Sequence, residues 1–80
     1  MNKFYDLALV DKCKGDMIAT WAGLECTAKD ALLNLMRRAE GKISPAQHHL
    51  ITLSIETGSH VAHDSRYGYV MRSMSEVKDF

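Results

Sequence analysis

Apolar and polar residues alternate over the first part of the chain in a pattern that predicts two strands. Residues 4–10 are rich in apolar side chains, and the polar cluster at residues 11–16 is typical of a turn. Residues 17–26 contain β-branched and aromatic side chains that fit a second strand. One side of this strand carries Ile18, Ala22, Leu24 and Cys26, and the other carries Met17, Ala19 and Trp21. The two segments predict a hairpin whose second strand is apolar on both sides.

An amphipathic helix is predicted directly after the hairpin. Thr27 is a favourable N-cap residue, and Asp30 complements the positive end of the helix dipole. Gly41 supplies the left-handed residue that commonly ends a helix. The apolar residues that fall within about one third of the helical circumference are Ala28, Ala31, Leu32, Leu35, Met36 and Ala39. We expect this stripe to face the core.

The pattern between residues 45 and 57 fits either a helix or a strand. Ser44, Pro45 and Gln47 form a helix cap. Residues 49–57, however, alternate with a period of two and include several β-branched side chains. We interpret the segment as one helical turn followed by a strand, with a continuous helix as the alternative.

The end of the chain predicts one more strand over residues 66–74, with residues 75–80 as a flexible tail. The order strand, strand, helix, strand, strand predicts an α+β fold in a single domain of residues 1–80. We expect a small antiparallel sheet with the one amphipathic helix packed on one face. The other face then lacks a cover, and a chain of 80 residues has a thin margin of hydrophobic stabilisation. A homodimer that covers this face is therefore an expected arrangement.

The charge distribution disfavours nucleic acid as the partner. Ten basic and ten acidic residues give a net charge of zero, and the two signs also balance in each half of the chain. Proteins that bind nucleic acid usually carry clustered Lys and Arg side chains that neutralise phosphates. The sequence shows no secretory signal and no apolar segment long enough to span a membrane, so we expect a cytoplasmic protein without a membrane partner.

Histidine and cysteine offer the most chemistry, but their spacing matches no established site. His60, His63 and Asp64 form an H-x-x-H-D cluster, although a zinc site needs three or four convergent ligands. We favour a solvated loop here and leave metal binding as the alternative. Cys13 and Cys26 fit no zinc or redox spacing, and a disulfide is the alternative to two free thiols. Without a glycine-rich phosphate loop or a positioned nucleophile, we expect no enzymatic activity and no cofactor.

Residue types that anchor protein interfaces occur at a few strand and helix positions. Tyr, Trp and Arg commonly dominate the binding energy of such interfaces. The predicted partner-binding residues are Trp21, Tyr67, Tyr69, Arg72, Arg37 and Arg38. For the aromatic residues two alternatives stay open: they belong to the core under the helix, or they stack on single-stranded nucleic acid. For Arg37 and Arg38 the alternative is a solvated helix end.

No motif in the chain identifies a family. Compact, cofactor-free α+β chains of this size are often encoded by phages and other mobile elements, where they bind a host protein. On that association we predict a non-enzymatic binding module that inhibits a larger protein or ribonucleoprotein, of the anti-CRISPR or anti-restriction type. The alternative is a small dimeric regulator that binds nucleic acid.

Overall fold

The computed structural model describes residues 3–58, 66–71 and 76–80, which form an α+β fold. Its elements are β1 (Lys3–Asp11), β2 (Asp16–Cys26), α1 (Ala28–Ala39), α2 (Pro45–Thr57), β3 (Tyr67–Met71) and β4 (Glu76–Asp79). The strands pair antiparallel in the order β2-β1-β3-β4. The predicted class, a small antiparallel sheet with helical packing on one face, is confirmed.

A bulge in β2 changes which residues share a face of the sheet. Leu9 pairs with Ala19, but the next residue, Val10, pairs with Met17, so Ile18 is an extra residue in β2. The extra residue turns Met17 onto the face opposite Ala19. Simple alternation placed these two residues on one side, and this part of the prediction is wrong.

α1 covers the face of the sheet that carries Leu7 and Leu9, which we call the core face. Both leucines are fully buried, and α1 packs against β1 and β2. The helix contributes Ala31, Leu35, Met36 and Ala39 to the core. Thr27 accepts a hydrogen bond from the amide of Asp30 at 3.2 Å, so α1 begins where the sequence predicts.

α2 is a helix throughout, so the strand that we preferred for this segment is wrong. Ser44 accepts a hydrogen bond from the amide of Gln47 at 3.2 Å, and Gly58 ends the helix with a left-handed φ of 72°. Ile51 is fully buried and Ile55 partly buried. Residues four apart share one side of a helix as well as one side of a strand, so these two isoleucines fit both structures. Neither described helix is long and apolar enough to cross a membrane.

The last residues belong to the sheet, so the predicted flexible tail is also wrong. β4 pairs with β3, and Val77 lies opposite Val70. Phe80 is 8% exposed, and the centre of its ring lies 5.2 Å from that of Tyr69. This short segment owes its strand structure to pairing with β3, an interaction that no local pattern reveals.

Trp21 and Gly23 are coupled on the core face of β2. The indole ring of Trp21 occupies the space into which a Cβ atom at residue 23 would project. The glycine therefore lets the ring lie back along its own strand, where it packs against the core. The chain contains one tryptophan, so its fluorescence reports on this contact.

Replacing Gly23 with Ala should destabilise the protein by about 1–3 kcal/mol, because the added methyl group displaces the packed Trp21 ring. Urea unfolding followed by tryptophan fluorescence measures the change in free energy of unfolding. The native emission should also shift to longer wavelength as the ring becomes solvated.

Thr20→Ala is the control for this prediction, since Thr20 is exposed on the opposite face of the same strand. Its effect on stability should stay within about 0.5 kcal/mol. Equal stability and equal emission of wild type and Gly23→Ala would show that the Trp21 ring does not need the space beside Gly23, and would contradict the prediction.

Candidate functional site

The aromatic residues predicted to anchor a partner lie on the core face. Leu7 pairs with Trp21 and Leu9 with Tyr69, so these side chains emerge on the side of the sheet that α1 covers. Tyr67 is 8% exposed, and Trp21 and Tyr69 pack partly buried against the core. Alternation shows which residues share a face but not which face a helix covers. Trp21, Tyr67 and Tyr69 therefore belong to the core under the helix, and they do not form an exposed aromatic platform.

The predicted arginines are not brought together with the aromatic residues. Arg37 and Arg38 are exposed in the last turn of α1, and Nη1 of Arg37 donates a hydrogen bond to Oδ1 of Asn34 at 3.5 Å. Neighbouring residues of a helix point about 100° apart, so the two guanidinium groups leave the helix in different directions. Arg72 lies outside the described residues.

The histidines divide between a structural contact and a segment outside the described residues. The ring of His48 donates a hydrogen bond from Nε2 to the carbonyl oxygen of Met36 at 2.7 Å. That oxygen is one of the last carbonyls of α1, which lack a partner within the helix, so His48 links the two helices. His60, His63 and Asp64 lie outside the described residues. Within the part that is described, no three His, Cys, Asp or Glu side chains are placed to hold a metal ion.

Both cysteines are free thiols. Cys13 is exposed in the turn before β2, and Cys26 is half-buried at the last position of β2. A strand of eleven residues separates them. At about 3.3 Å per residue that strand is far longer than the reach of a disulfide, so the disulfide alternative does not apply.

Neither α1 nor α2 packs on the face of the sheet turned away from Leu7 and Leu9, and we call it the open face. The register places on this face Phe4, Asp6, Ala8, Val10, Met17, Thr20, Ala22, Gly68, Val70, Val77 and Asp79. Phe4 is 72% exposed, Met17 59% and Val77 48%. Apart from Thr20, Asp6 and Asp79, the residues of this face are apolar. Ala8 is 2% exposed, so the middle of the face is shielded from solvent within the chain.

α2 carries a second apolar stripe on the side opposite its buried one. Leu50 is 55% exposed and Leu53 46%, whereas Ile51 is fully buried. At about 100° per residue, Ala46, Leu50 and Leu53 lie within about 60° of one another and point away from Ile51 and Ile55. We call these three exposed residues the outer stripe. Both stripes are visible in the sequence. Because they lie on opposite sides of a helix, the sequence pattern favoured a strand for this segment.

A small cleft lies between the two helices, and Arg37 of α1 faces Thr52 and Glu56 of α2 across it. The cleft has a volume of about 100 Å³, and Arg37 lines it together with Thr52 and Glu56. The hydroxyl oxygen of Thr52 is buried and has no hydrogen-bond partner among the described residues. Leu53 precedes Glu56 by three residues and therefore lies beside it on α2. Glu56 therefore lies between the cleft that Arg37 lines and the exposed Leu53 side chain.

Asp11 is a buried carboxylate whose two oxygens are both hydrogen-bonded. Oδ1 accepts from the backbone amides of Cys13 at 3.0 Å and Lys14 at 3.2 Å, which shapes the turn between β1 and β2. Oδ2 accepts from Nε of Arg66 at 2.9 Å and pairs with Nη2 at 2.8 Å. Asp11 is 5% exposed, so these bonds satisfy a charge that would otherwise be costly to bury.

The Asp11–Arg66 pair lines an open cleft of about 430 Å³ that also contains Lys14, Asp16 and Lys42. The hydrogen bond from Arg66 holds the pKa of Asp11 below its usual range, although burial of the carboxylate acts in the other direction. The same contact raises the pKa of Arg66. A carboxylate with both oxygens occupied and a lowered pKa is poorly suited to act as a general acid or base, so we assign the pair a structural role.

The Asp11–Arg66 pair should make stability depend on pH in the acid range. Because the pKa of Asp11 is lower in the folded than in the unfolded chain, its contribution is complete above the unfolded value of about 4 and is lost as the pH falls below it. Melting temperatures measured from pH 6 to about pH 2.5 should fall less steeply for Asp11→Asn than for the wild type.

Glu25→Gln serves as the control, since Glu25 is exposed at the opposite end of β2 from the ion pair. That variant should follow the wild-type curve, and Asp11→Asn should be less stable than both at pH 7. Parallel acid unfolding of wild type and Asp11→Asn would contradict this assignment of the ion pair.

No protein-family model matches the chain. No curated protein and no solved structure matches it either. A function is therefore argued from the outer stripe and from the charged residues of the chain.

Proposed function

We propose that this chain is a non-enzymatic protein-binding module that occludes or redirects a larger protein or ribonucleoprotein in the cytoplasm. The observation that carries the proposal is the outer stripe, where Leu50 is 55% and Leu53 46% exposed on a helix whose other side is packed. A helix on the surface of a globular protein normally has one apolar stripe, and that stripe faces the core. Binding to another protein accounts for the second stripe.

The surroundings of the outer stripe have the mixed character of an interface that forms and dissociates. Such interfaces combine an apolar centre with a polar rim, and Arg is enriched in them. Arg37 supplies a guanidinium group at the cleft between the helices. His49 and Glu56 are exposed and flank Leu53 on α2. The surface therefore supplies both apolar anchors and polar groups that fix orientation.

The spacing of the outer stripe favours binding of α2 in a groove of the target. Ala46, Leu50 and Leu53 fall at positions i, i+4 and i+7, which is how an amphipathic helix presents its anchors. We therefore expect an apolar groove on the target, with an acidic group placed to meet Arg37.

We propose more specifically that the chain is an inhibitor encoded by a phage or another mobile element, and that its target is a host CRISPR or restriction complex. The short chain and the position of the anchors on a helix support this form, because blocking a target surface requires no catalytic group. The anchors also lie on an exposed helix side and not around an enclosed pocket, which suits a macromolecular target.

Replacing both Leu50 and Leu53 with Glu should abolish target binding, because two carboxylates would be buried against an apolar groove. The tagged chain is expressed in its native host, and the proteins that co-purify at moderate salt are identified by mass spectrometry with and without nuclease. The wild type should retain one stoichiometric protein after nuclease treatment. L50E/L53E should retain at least about tenfold less of it.

Lys29→Glu is the matched control, since it makes the same change in net charge at an exposed position in the first turn of α1. This variant should keep the target, and melting curves should show that both variants stay folded. A target that L50E/L53E still retains would contradict the proposal. Loss of every partner on nuclease treatment would favour the nucleic-acid-binding regulator, whose affinity would also fall steeply with salt.

A further inference from the structure

The open cleft beside the Asp11–Arg66 pair lies where three connections of the fold meet. Lys14 lines it from the β1–β2 turn, Lys42 from the loop between α1 and α2, and Arg66 from the position before β3. Its volume of about 430 Å³ is within the range of small-molecule pockets, about 300–1,000 Å³. No residue of the outer stripe lines it, so the cleft is separate from the surface that carries the proposed function.

Positive charge exceeds negative charge around this cleft. Asp11 and Arg66 neutralise each other through their ion pair. The ammonium groups of Lys14 and Lys42 then remain against the single carboxylate of Asp16. Among the residues that the structure describes, neither lysine forms an ion pair. A concave surface with surplus cationic charge attracts an anion.

Arg66 keeps hydrogen-bond donors that the ion pair does not use. A guanidinium group carries its N–H donors in a rigid plane, and Oδ2 of Asp11 takes one from Nε at 2.9 Å and one from Nη2 at 2.8 Å. Nη1 has no acceptor within the described part of the chain, and the Arg66 side chain is 42% exposed. The edge formed by Nη1 and the second N–H of Nη2 can therefore donate two parallel hydrogen bonds to one anion, and Asp11 fixes its direction.

The start of α2 adds to the attraction for an anion, and the set of donors suits a phosphate group. Ser44, the N-cap residue of α2, lines the cleft, so the positive end of the helix dipole lies at its edge. A phosphate group has three terminal oxygens and carries up to two negative charges. Two oxygens can meet the free edge of Arg66 while the ammonium groups of Lys14 and Lys42 balance the charge, whereas a carboxylate has only two oxygens and one charge.

We propose that this cleft binds the phosphate group of a small phosphorylated molecule. Arg66 holds two phosphate oxygens, and Lys14 and Lys42 approach the group from the β1–β2 turn and from the loop before α2. Ile18 and Ile43 also line the cleft and give the organic part of the ligand an apolar contact. The balanced charge of the whole chain disfavours a nucleic-acid strand as the source of the phosphate.

Isothermal titration calorimetry with inorganic phosphate, at constant ionic strength in a chloride buffer, tests the site. The wild type should bind phosphate with a Kd of about 1 mM or tighter. K14Q/K42Q should bind it at least about tenfold more weakly, and both lysines are exposed, so the variant should stay folded. Asp16→Asn removes the opposing carboxylate and should bind phosphate about threefold more tightly.

K3Q/K29Q is the matched control, because it removes the same charge at exposed positions near the opposite end of the sheet. This variant should keep the wild-type affinity for phosphate. L50E/L53E should keep it as well while losing the protein target, which separates a failure of this proposal from a failure of the proposed function. Equal phosphate affinity of K14Q/K42Q and wild type, or no binding to the wild type at about 10 mM phosphate, would overturn the proposal.

Arg66→Lys tests the hydrogen-bonding edge, since lysine keeps the charge but lacks the planar fork of donors. This variant should bind phosphate at least about tenfold more weakly at a temperature where its melting curve shows that it is folded. Unchanged affinity would overturn the role given to the guanidinium group.

Titrations of the wild type with AMP, acetate and a short single-stranded RNA identify the class of ligand. AMP should bind at least as tightly as inorganic phosphate, and acetate at least about tenfold more weakly, because it offers one charge and two oxygens. Acetate that binds as well as phosphate would assign the cleft to a carboxylate and overturn the proposal. RNA that binds more tightly than AMP would assign it to nucleic acid, with the same consequence.

Discussion

The carboxylate of Asp11 joins parts of the chain that lie 55 residues apart in sequence. Through Oδ1 it holds the turn of the β1–β2 hairpin, and through Oδ2 it holds Arg66, the residue before β3. The backbone repeats this link, since the amide of Lys12 donates a hydrogen bond to the carbonyl oxygen of Arg66 at 2.9 Å. β1 is thereby fixed between a local neighbour, β2, and a distant one, β3. Register in a hairpin depends on the turn as well as on the apolar pattern, so Asp11 contributes to which side chains share each face.

Once the register is set, alternation along β1 divides the sheet into the core face and the open face. Leu7 and Leu9 turn toward α1, while Ala8 and Val10 turn away from it. α1 covers one face only, and α2 packs on α1 without joining the sheet. The fold therefore leaves apolar surface on both sides of its two layers, as the open face and as the outer stripe.

The sequence predicts α1 well because its cap, its apolar stripe and its closing glycine are all local features. It does not predict α2, because the spacing of Ile51 and Ile55 fits a strand as well as a helix. Leu50 also lies opposite these isoleucines, which a helix with a single apolar stripe would not show. Tyr69 is covered because α1 packs on its face of the sheet. The alternation of apolar and polar residues does not show on which face a helix packs. Phe80 is buried by its contact with Tyr69, a tertiary interaction. The residues of the outer stripe were thus visible in the sequence, but only the helical structure of α2 shows that they are exposed on one side.

The most direct test of this account is methyl NMR of the isotopically labelled chain, recorded before and after addition of the target protein that co-purifies with it. The account predicts that the methyl signals of Leu50 and Leu53 shift or broaden on binding, while those of the buried Leu7 and Leu9 change little. Unchanged signals from Leu50 and Leu53 in the bound chain would contradict it.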